Sequence, residues 1–184
     1  MKIKVYWSAI ALCTLPFFTN AQTMPEPLQA TQLDWRIVND GVMGGLSQSQ
    51  MQQTPEGHAR FSGTVSLENN GGFASTRATV PNGMRQGVQS IRLRVKGDGQ
   101  RYSLRLRPAG RYGRVSYRAF FDTKAGEWQE LEFPLSDFTP TFRGRVLTDV
   151  PPVSGQELEE IGLLIADKQE GQFGILIDWI AAER

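Results

Sequence analysis

The stretch that decides the fold is residues 91–122, IRLRVKGDGQRYSLRLRPAGRYGRVSYRAFFD, in which apolar and polar side chains alternate in three successive runs. Side chains of a β-strand point to opposite faces in turn, so this period of two predicts three strands, each with one buried face. Between the first two runs, residues 97–99 (GDG) tolerate the backbone angles of a tight turn. The predicted buried positions are Ile91, Leu93, Val95, Tyr102, Leu104, Leu106, Val115, Tyr117, Ala119 and Phe121.

The same period continues on both sides of this stretch. Residues 59–67, 161–165 and 173–179 alternate in the same way, and turn sequences such as 69–72 (NNGG) separate the runs. No segment shows a helical period of useful length. Many short strands, each with one apolar face, predict a single all-β domain over residues 33–184 with the architecture of a jelly-roll β-sandwich.

The first residues of the chain predict export. A cationic start (MKIK, residues 1–4) and a following apolar run lead to small residues that end at Ala21. This is the pattern of a secretory signal peptide over residues 1–21, cleaved after Ala21, so we expect a periplasmic or secreted protein. Residues 22–32 carry Pro and Gln and are predicted to form a flexible lead-in. No later apolar run is long enough for a transmembrane segment.

The inventory of reactive side chains argues against catalysis. The chain has one His, His58, and one Cys, Cys13, which falls in the predicted signal peptide. A Ser-His-Asp triad would need His58, which lies in a polar turn with no evident partner to orient it. Transition-metal sites use several His or Cys ligands. Scattered acids leave open a glycosidase pair or a structural calcium, but no spacing selects them. We therefore predict no catalytic residue, no cofactor and no metal site.

Arginines occupy polar positions of the three alternating runs. If the three strands are neighbours, these side chains share one sheet face and form a platform for a glycan or an acidic protein segment. The alternative is a solvated face whose charges are offset by acids such as Glu68, Glu130 or Glu132. The arginines concerned are Arg92, Arg94, Arg105, Arg107, Arg114 and Arg118.

Several ordered strings resemble one family. The chain is similar in these strings to the complex I intermediate-associated protein 30 family, of the galactose-binding-like jelly-roll class. The strings are residues 35–47 (WRIVNDGVMGGLS), 69–77 (NNGGFASTR), 96–102 (KGDGQRY), 127–129 (EWQ), 142–145 (FRGR) and 161–169 (IGLLIADKQ).

This resemblance implies a β-sandwich of the carbohydrate-binding-module kind and a chaperone-like role in assembling the mitochondrial NADH:ubiquinone oxidoreductase. It supplies no catalytic residue. Its shared polar positions either form an internal network or line a binding surface, because network residues and site residues look alike in sequence. Those positions are Asp40, Ser47, Ser75, Arg77, Asp98, Arg143, Asp167 and Lys168.

The combined expectation is an exported, non-catalytic binding or assembly-factor module that acts as a monomer. Its partner is expected to be a protein or a glycan, not a nucleic acid, because the net charge of the whole chain is only +1. A carbohydrate-binding module is the first alternative, and a glycoside-active enzyme is the second. The candidate binding residues are Asp40, Ser47, Arg77, Arg92, Arg94, Arg105, Arg107, Arg118, Arg143, Asp167 and Lys168.

Overall fold

The computed structural model describes residues 26–184, which form thirteen β-strands and seven short 3₁₀ helices. The predicted signal peptide lies outside the described residues. The strands are β1 Leu28–Gln29, β2 Arg36–Ile37, β3 Gln48–Gln53, β4 Ala59–Val65, β5 Ala74–Thr79, β6 Ser90–Lys96, β7 Arg101–Pro108, β8 Ser116–Asp122, β9 Trp128–Pro134, β10 Thr139–Phe142, β11 Arg145–Val146, β12 Leu158–Ile165 and β13 Gly171–Glu183. The 3₁₀ helices are Ala30–Gln32, Asp40–Met43, Glu68–Asn70, Asn82–Met84, Gly110–Tyr112, Leu135–Asp137 and Gly155–Glu157.

The strands form two antiparallel sheets. The six-stranded sheet has the order β3-β4-β13-β6-β9, and β1 also pairs with β13. The seven-stranded sheet has the order β11-β10-β8-β7-β12-β5-β2. Strands that are neighbours in space therefore come from distant parts of the chain. The predicted all-β sandwich is confirmed.

The core lies between the two sheets, where the predicted alternation places the apolar side chains. Leu93 and Ile175 from the six-stranded sheet are almost fully buried, as are Leu104, Ile161 and Tyr117 from the seven-stranded sheet. Burying one such side chain contributes about 1.5–3 kcal/mol. Because both sheets direct one face inward, each also has an outer face on which the polar residues of the alternating pattern lie.

Residues 28–32 belong to the sandwich, unlike the flexible lead-in expected there. Leu28 and Gln29 pair with Ile180 and Trp179 of β13, and Ala30 has no exposed surface. The indole Nε1 of Trp35 donates a hydrogen bond of 2.7 Å to the carbonyl oxygen of Ala30. Polar composition suggested a loose segment here, but backbone pairing and one small buried side chain fix it instead.

The expectation that one sheet face carries all six arginines is wrong. Strand β6 lies between β13 and β9 in the six-stranded sheet, whereas β7 and β8 pair in the seven-stranded sheet. Arg92 and Arg94 thus lie on the opposite side of the molecule from Arg105, Arg107 and Arg118, and Arg114 precedes β8. The period of two fixes which residues share a face of one strand, but it does not fix which sheet that strand joins.

Candidate binding face

Four arginines lie in one line across the outer face of the seven-stranded sheet. In the strand register Arg118 of β8 faces Arg105 of β7, and Arg105 faces Gly162 of β12. Gly162 faces Arg77 of β5, which faces Arg36 of β2. We call this set of five residues the arginine row. Directly opposed residues of antiparallel strands have Cβ atoms about 4.5–5.5 Å apart, so the row brings like charges together.

The glycine of the row is required by the packing around it. A Cβ atom at Gly162 would overlap the carbonyl oxygen of Thr76 and would lie 3.1 Å from Cγ of Arg77. The backbone oxygen cannot move without disturbing the pairing of β12 with β5. The absence of a side chain at Gly162 therefore lets Arg77 lie across the centre of the face.

Few acids offset these charges. Glu160 forms an ion pair with Arg36, and its Oε2 atom lies 3.8 Å from Nε of Arg107. Within residues 26–184, no carboxylate oxygen lies within 4.0 Å of a guanidinium nitrogen of Arg77, Arg105 or Arg118. The face therefore has a surplus of positive charge at its centre.

Arg105 is the most enclosed cation of the row. Its Nη1 atom donates hydrogen bonds to the hydroxyl oxygens of Ser116 at 3.4 Å and Thr141 at 3.2 Å. Its Nε atom is buried and has no hydrogen-bond partner among the residues that the structure describes. Burial, together with the charges of Arg118 and Arg77, lowers the pKa of Arg105 to about 10. The group remains protonated at neutral pH, where its charge is poorly solvated.

Arg77 is perturbed in the same direction. Burial lowers its pKa, and the nearby charges of Arg107 and Arg36 act the same way, while Glu160 opposes them. Because crowding and burial both disfavour the cations, an anion bound to this face would relieve an existing electrostatic cost.

An apolar strip lies beside the arginine row. The next line runs from Phe120 through Ser103 and Leu164 to Ser75, in which both serines are buried and only Phe120 and Leu164 offer apolar surface, and we call it the apolar row. The ring of Phe120 is 36% exposed. Its centroid lies 4.4 Å from the guanidinium carbon of Arg101 and 4.8 Å from that of Arg118. Along strand β8, the cationic surface of Arg118 thus lies next to the apolar surface of Phe120.

On the outer face of the six-stranded sheet, the two arginines of β6 are paired with acids. Arg92 contacts Glu130 at 3.2 Å and Glu183 at 3.1 Å. Arg94 forms an ion pair with Asp178 and lies 4.0 Å from Glu130. Its guanidinium carbon also lies 4.7 Å from the centroid of the Trp128 ring. The two arginines of β6 are thus neutralised within the fold, whereas Arg60 and Lys96, which face Leu176 on the same sheet, have no carboxylate oxygen within 4.0 Å among residues 26–184.

His58 also lies on this side of the molecule and has a partner that the sequence did not reveal. Its Nδ1 atom lies 3.1 Å from Oδ1 of Asp178, and its ring meets the edge of Trp128 at 4.8 Å between centroids. Asp178 is 120 residues away along the chain.

Within residues 26–184, no group of three His, Cys, Asp or Glu side chains converges as a metal site would require. Between the same residues, none of the helices has the length and apolar character of a membrane span.

The model of the family described as complex I intermediate-associated protein 30 matches residues 21–177 of the chain. The chain belongs to this family. The mitochondrial complex I intermediate-associated protein 30 of Mus musculus is 26% identical, over 79% of this chain and 51% of that protein. An uncharacterized protein of Schizosaccharomyces pombe is 24% identical, over 85% of this chain and 81% of its own length. The chain spans about half the length of the mouse relative.

Solved structures with the same fold include carbohydrate-binding modules. The family 11 module of a cellulosomal cellulase of Clostridium thermocellum gives a TM-score of 0.62 at 14% identity, covering 83% of this chain and 89% of that one. The solution structure of CtCBM11 gives 0.56 at 15% identity, covering 83% and 94%. At this identity the likeness concerns the fold, and it confirms the predicted sandwich class. The predicted family is confirmed by the match of the family model.

Two of the strings that resemble the family, residues 35–47 and 69–77, meet at Asp40, which has no exposed surface. Its carboxylate accepts hydrogen bonds from the hydroxyl of Ser47 at 2.5 Å and from the amides of Ser47 at 3.0 Å, Gly72 at 2.7 Å and Phe73 at 3.2 Å. A Cβ atom at Gly45 would overlap the carboxyl group, and one at Gly71 would lie 2.7 Å from its Oδ2 atom. Asp40 and Ser47 therefore tie loops together inside the fold, and we leave them out of the binding face.

Hydrogen bonding decides the ionisation of this buried acid. Burial opposes the charged form of Asp40, but the hydrogen bonds from Ser47, Gly72 and Phe73 outweigh it, so the pKa of Asp40 lies below its ordinary value. Another motif acid, Asp98, is used in a similar way. It accepts hydrogen bonds from the hydroxyl of Tyr102 at 3.1 Å and from the amide of Gly174 at 2.7 Å.

The remaining candidates lie in exposed turns at the margin of the seven-stranded sheet. Arg143 follows β10, and Asp167 and Lys168 follow β12. All three adopt left-handed backbone angles, with φ of 48°, 59° and 60°. The structure thus brings Arg77, Arg105, Arg107 and Arg118 together and leaves these three outside the arginine row. Sequence reasoning missed Arg36, Phe120 and Gly162, although Arg36 and Gly162 lie within the family strings.

Proposed function

We propose that this member of the family is a non-catalytic assembly module that holds a protein partner against the outer face of the seven-stranded sheet. The observation that carries the proposal is the arginine row, in which Arg77, Arg105 and Arg118 form no ion pair within 4.0 Å among residues 26–184. Clustered cations that the fold itself does not neutralise are expected where a ligand supplies the opposite charge.

The family supports a protein as the partner. The description of the family names an association with intermediates of complex I, which supports a protein as the partner of this chain. We place the proposed activity in the periplasm or outside the cell, on the strength of the predicted signal peptide. The exported location implies a partner that is itself exposed there.

Site-specific crosslinking tests the face directly. Leu164 lies on the outer face of the seven-stranded sheet, and Leu176 lies at a comparable half-buried position on the outer face of the other sheet. We expect Leu164→benzoylphenylalanine to crosslink a defined protein in the native compartment, and Leu176→benzoylphenylalanine not to do so. The same crosslink should disappear in the double variant Arg105→Gln/Arg118→Gln. A crosslink that forms only from position 176, or that survives the double substitution, would contradict the proposal.

Carbohydrate binding is the second candidate, and a specific observation favours it. A family 11 module with the same fold, at a TM-score of 0.56 and 14% identity, has been solved in complex with a β-1,3-1,4-mixed-linked tetrasaccharide. Binding to the folded state raises the unfolding temperature, and the rise grows with the ratio of ligand concentration to Kd. A rise in Tm with that tetrasaccharide, lost in Phe120→Ala, would favour this candidate over a protein partner.

A further inference from the structure

The arginine row and the apolar row run parallel across the seven-stranded sheet. Adjacent strands lie about 4.8 Å apart, so a row that crosses five strands is about 19 Å long. Residues two apart on a strand are about 6.6 Å apart, which is the separation of the two rows. The face therefore offers two parallel lines of opposite chemistry, one cationic and one partly apolar.

An extended polypeptide fits between these lines. Its side chains point alternately to either side of its backbone, and about six residues cover 19 Å at a rise of about 3.3 Å each. Residues of one parity would reach the arginine row, and residues of the other parity would reach Phe120 and Leu164. The required sequence is thus an alternation of acidic and apolar residues.

Carboxylates suit the cations of the row. A guanidinium group binds a carboxylate through two parallel hydrogen bonds, and such charge-assisted pairs are stronger than neutral ones. Arg105 at present donates only to the hydroxyls of Ser116 and Thr141, and its Nε atom has no partner among the described residues. No carboxylate oxygen of residues 26–184 lies within 4.0 Å of a guanidinium nitrogen of Arg77 or Arg118. An incoming acid would supply what each of these groups lacks.

The apolar row argues for a peptide over other polyanions. Sulfated glycans carry charge along their whole length and have no apolar side chains to contact Phe120, which is 36% exposed. The chain as a whole has a net charge of only +1, so it has no general attraction for polyanions.

We propose that the arginine row binds an extended acidic segment of the partner protein, in which carboxylate and apolar side chains alternate. This inference rests on the proposed function, because it names the chemistry of the partner that the same face holds.

Fluorescence anisotropy with synthetic peptides tests the inference on the purified chain. The probe is a labelled octapeptide with alternating Glu and Val, compared with a Gln-Val version and with a block version of four Glu followed by four Val. We expect the alternating Glu probe to bind, and its Kd to rise about tenfold with each arginine removed in Arg77→Gln and Arg105→Gln. Binding should also weaken as salt is raised, because the contacts are ionic.

Matched variants separate this face from general charge effects. Arg92→Gln/Arg94→Gln removes the same charge from the opposite sheet and should change Kd less than about twofold. Arg105→Lys keeps the charge but loses the planar guanidinium group that can donate two parallel hydrogen bonds, so it should still weaken binding several-fold. Circular dichroism of each variant shows whether it is folded, and only folded variants are compared.

Several results of these measurements would contradict the inference. Equal binding of the Gln-Val probe, equal binding of the block probe, or equal loss in Arg92→Gln/Arg94→Gln would overturn the inference. Tighter binding of a heparin octasaccharide or of an oligonucleotide would overturn the assignment to a peptide. If the crosslink from position 164 persists while no acidic peptide binds, the inference fails and the proposed function stands.

Discussion

The outer faces of the two sheets carry the same kind of residue in the same pattern, yet their electrostatics differ. On the six-stranded sheet, Arg92 and Arg94 of β6 lie beside β9, whose outward positions include Glu130. On the seven-stranded sheet, Arg105 of β7 lies between Arg118 and Gly162. Cross-strand neighbours, and not the strand sequence itself, thus decide whether an arginine is neutralised. Cations that face each other directly across neighbouring strands, as Arg105 and Arg118 do, are the feature that distinguishes the seven-stranded face.

The largest expected effect comes from filling the gap in the arginine row. Gly162→Ala places a Cβ atom against the carbonyl oxygen of Thr76 and against Arg77, so it should lower the free energy of unfolding by about 3 kcal/mol. Gly174→Ala is the matched control on the other sheet, since its Cβ atom would have its nearest neighbours at 3.9 Å. We expect the control to change stability by less than about 1 kcal/mol in urea unfolding. Equal effects of the two substitutions would mean that the faces do not differ in packing.

The next effect concerns Asp40, a buried acid whose carboxylate accepts several hydrogen bonds, in contrast to the cations of the sheet faces. Asp40→Asn replaces an oxygen that accepts several hydrogen bonds by a donor and should cost about 2 kcal/mol at pH 7. Because folding lowers the pKa of Asp40, its contribution is complete above its ordinary value of 3.8 and is lost as the pH falls through the folded pKa. Urea unfolding from pH 7 down to pH 3 should therefore show the gap between wild type and Asp40→Asn narrowing only in the acid range. A constant gap at all pH values would argue against an ionised Asp40.

The smallest effects are changes in the free energy of unfolding, which we expect to have opposite signs on the two sheet faces. Arg105→Met removes a crowded, buried charge and should raise the free energy of unfolding by about 1 kcal/mol at low salt. Arg94→Met removes an ion pair with Asp178 and should lower it by about 0.5–1 kcal/mol. Because the pKa of Arg105 is lowered to about 10, the penalty in wild type is present below that pH and fades above it. Both differences should shrink in high salt, and equal signs would show that the faces are electrostatically alike.

Much of the fold follows from the sequence, but only part of the candidate site does. Alternation at Leu104, Ile161 and Ile175 predicted the buried faces, because the direction of a side chain on a strand is set locally. The family strings pointed to Asp40 and Arg77 without separating network from surface. That separation needed the structure, in which glycines of two strings lie against Asp40, whereas Arg77 lies on the outer sheet face.

The sequence by itself determined that this chain is a β-sandwich of one family, with arginines on the outward side of its strands. Only the tertiary structure decided that Arg105 and Arg118 would share a face with Arg77 and that Arg92 and Arg94 would not. The physical reason is the distance along the chain over which each property is set. Side-chain direction repeats every two residues along a strand, whereas the neighbours of a strand come from chain segments tens of residues away and are selected by the packing of the whole core.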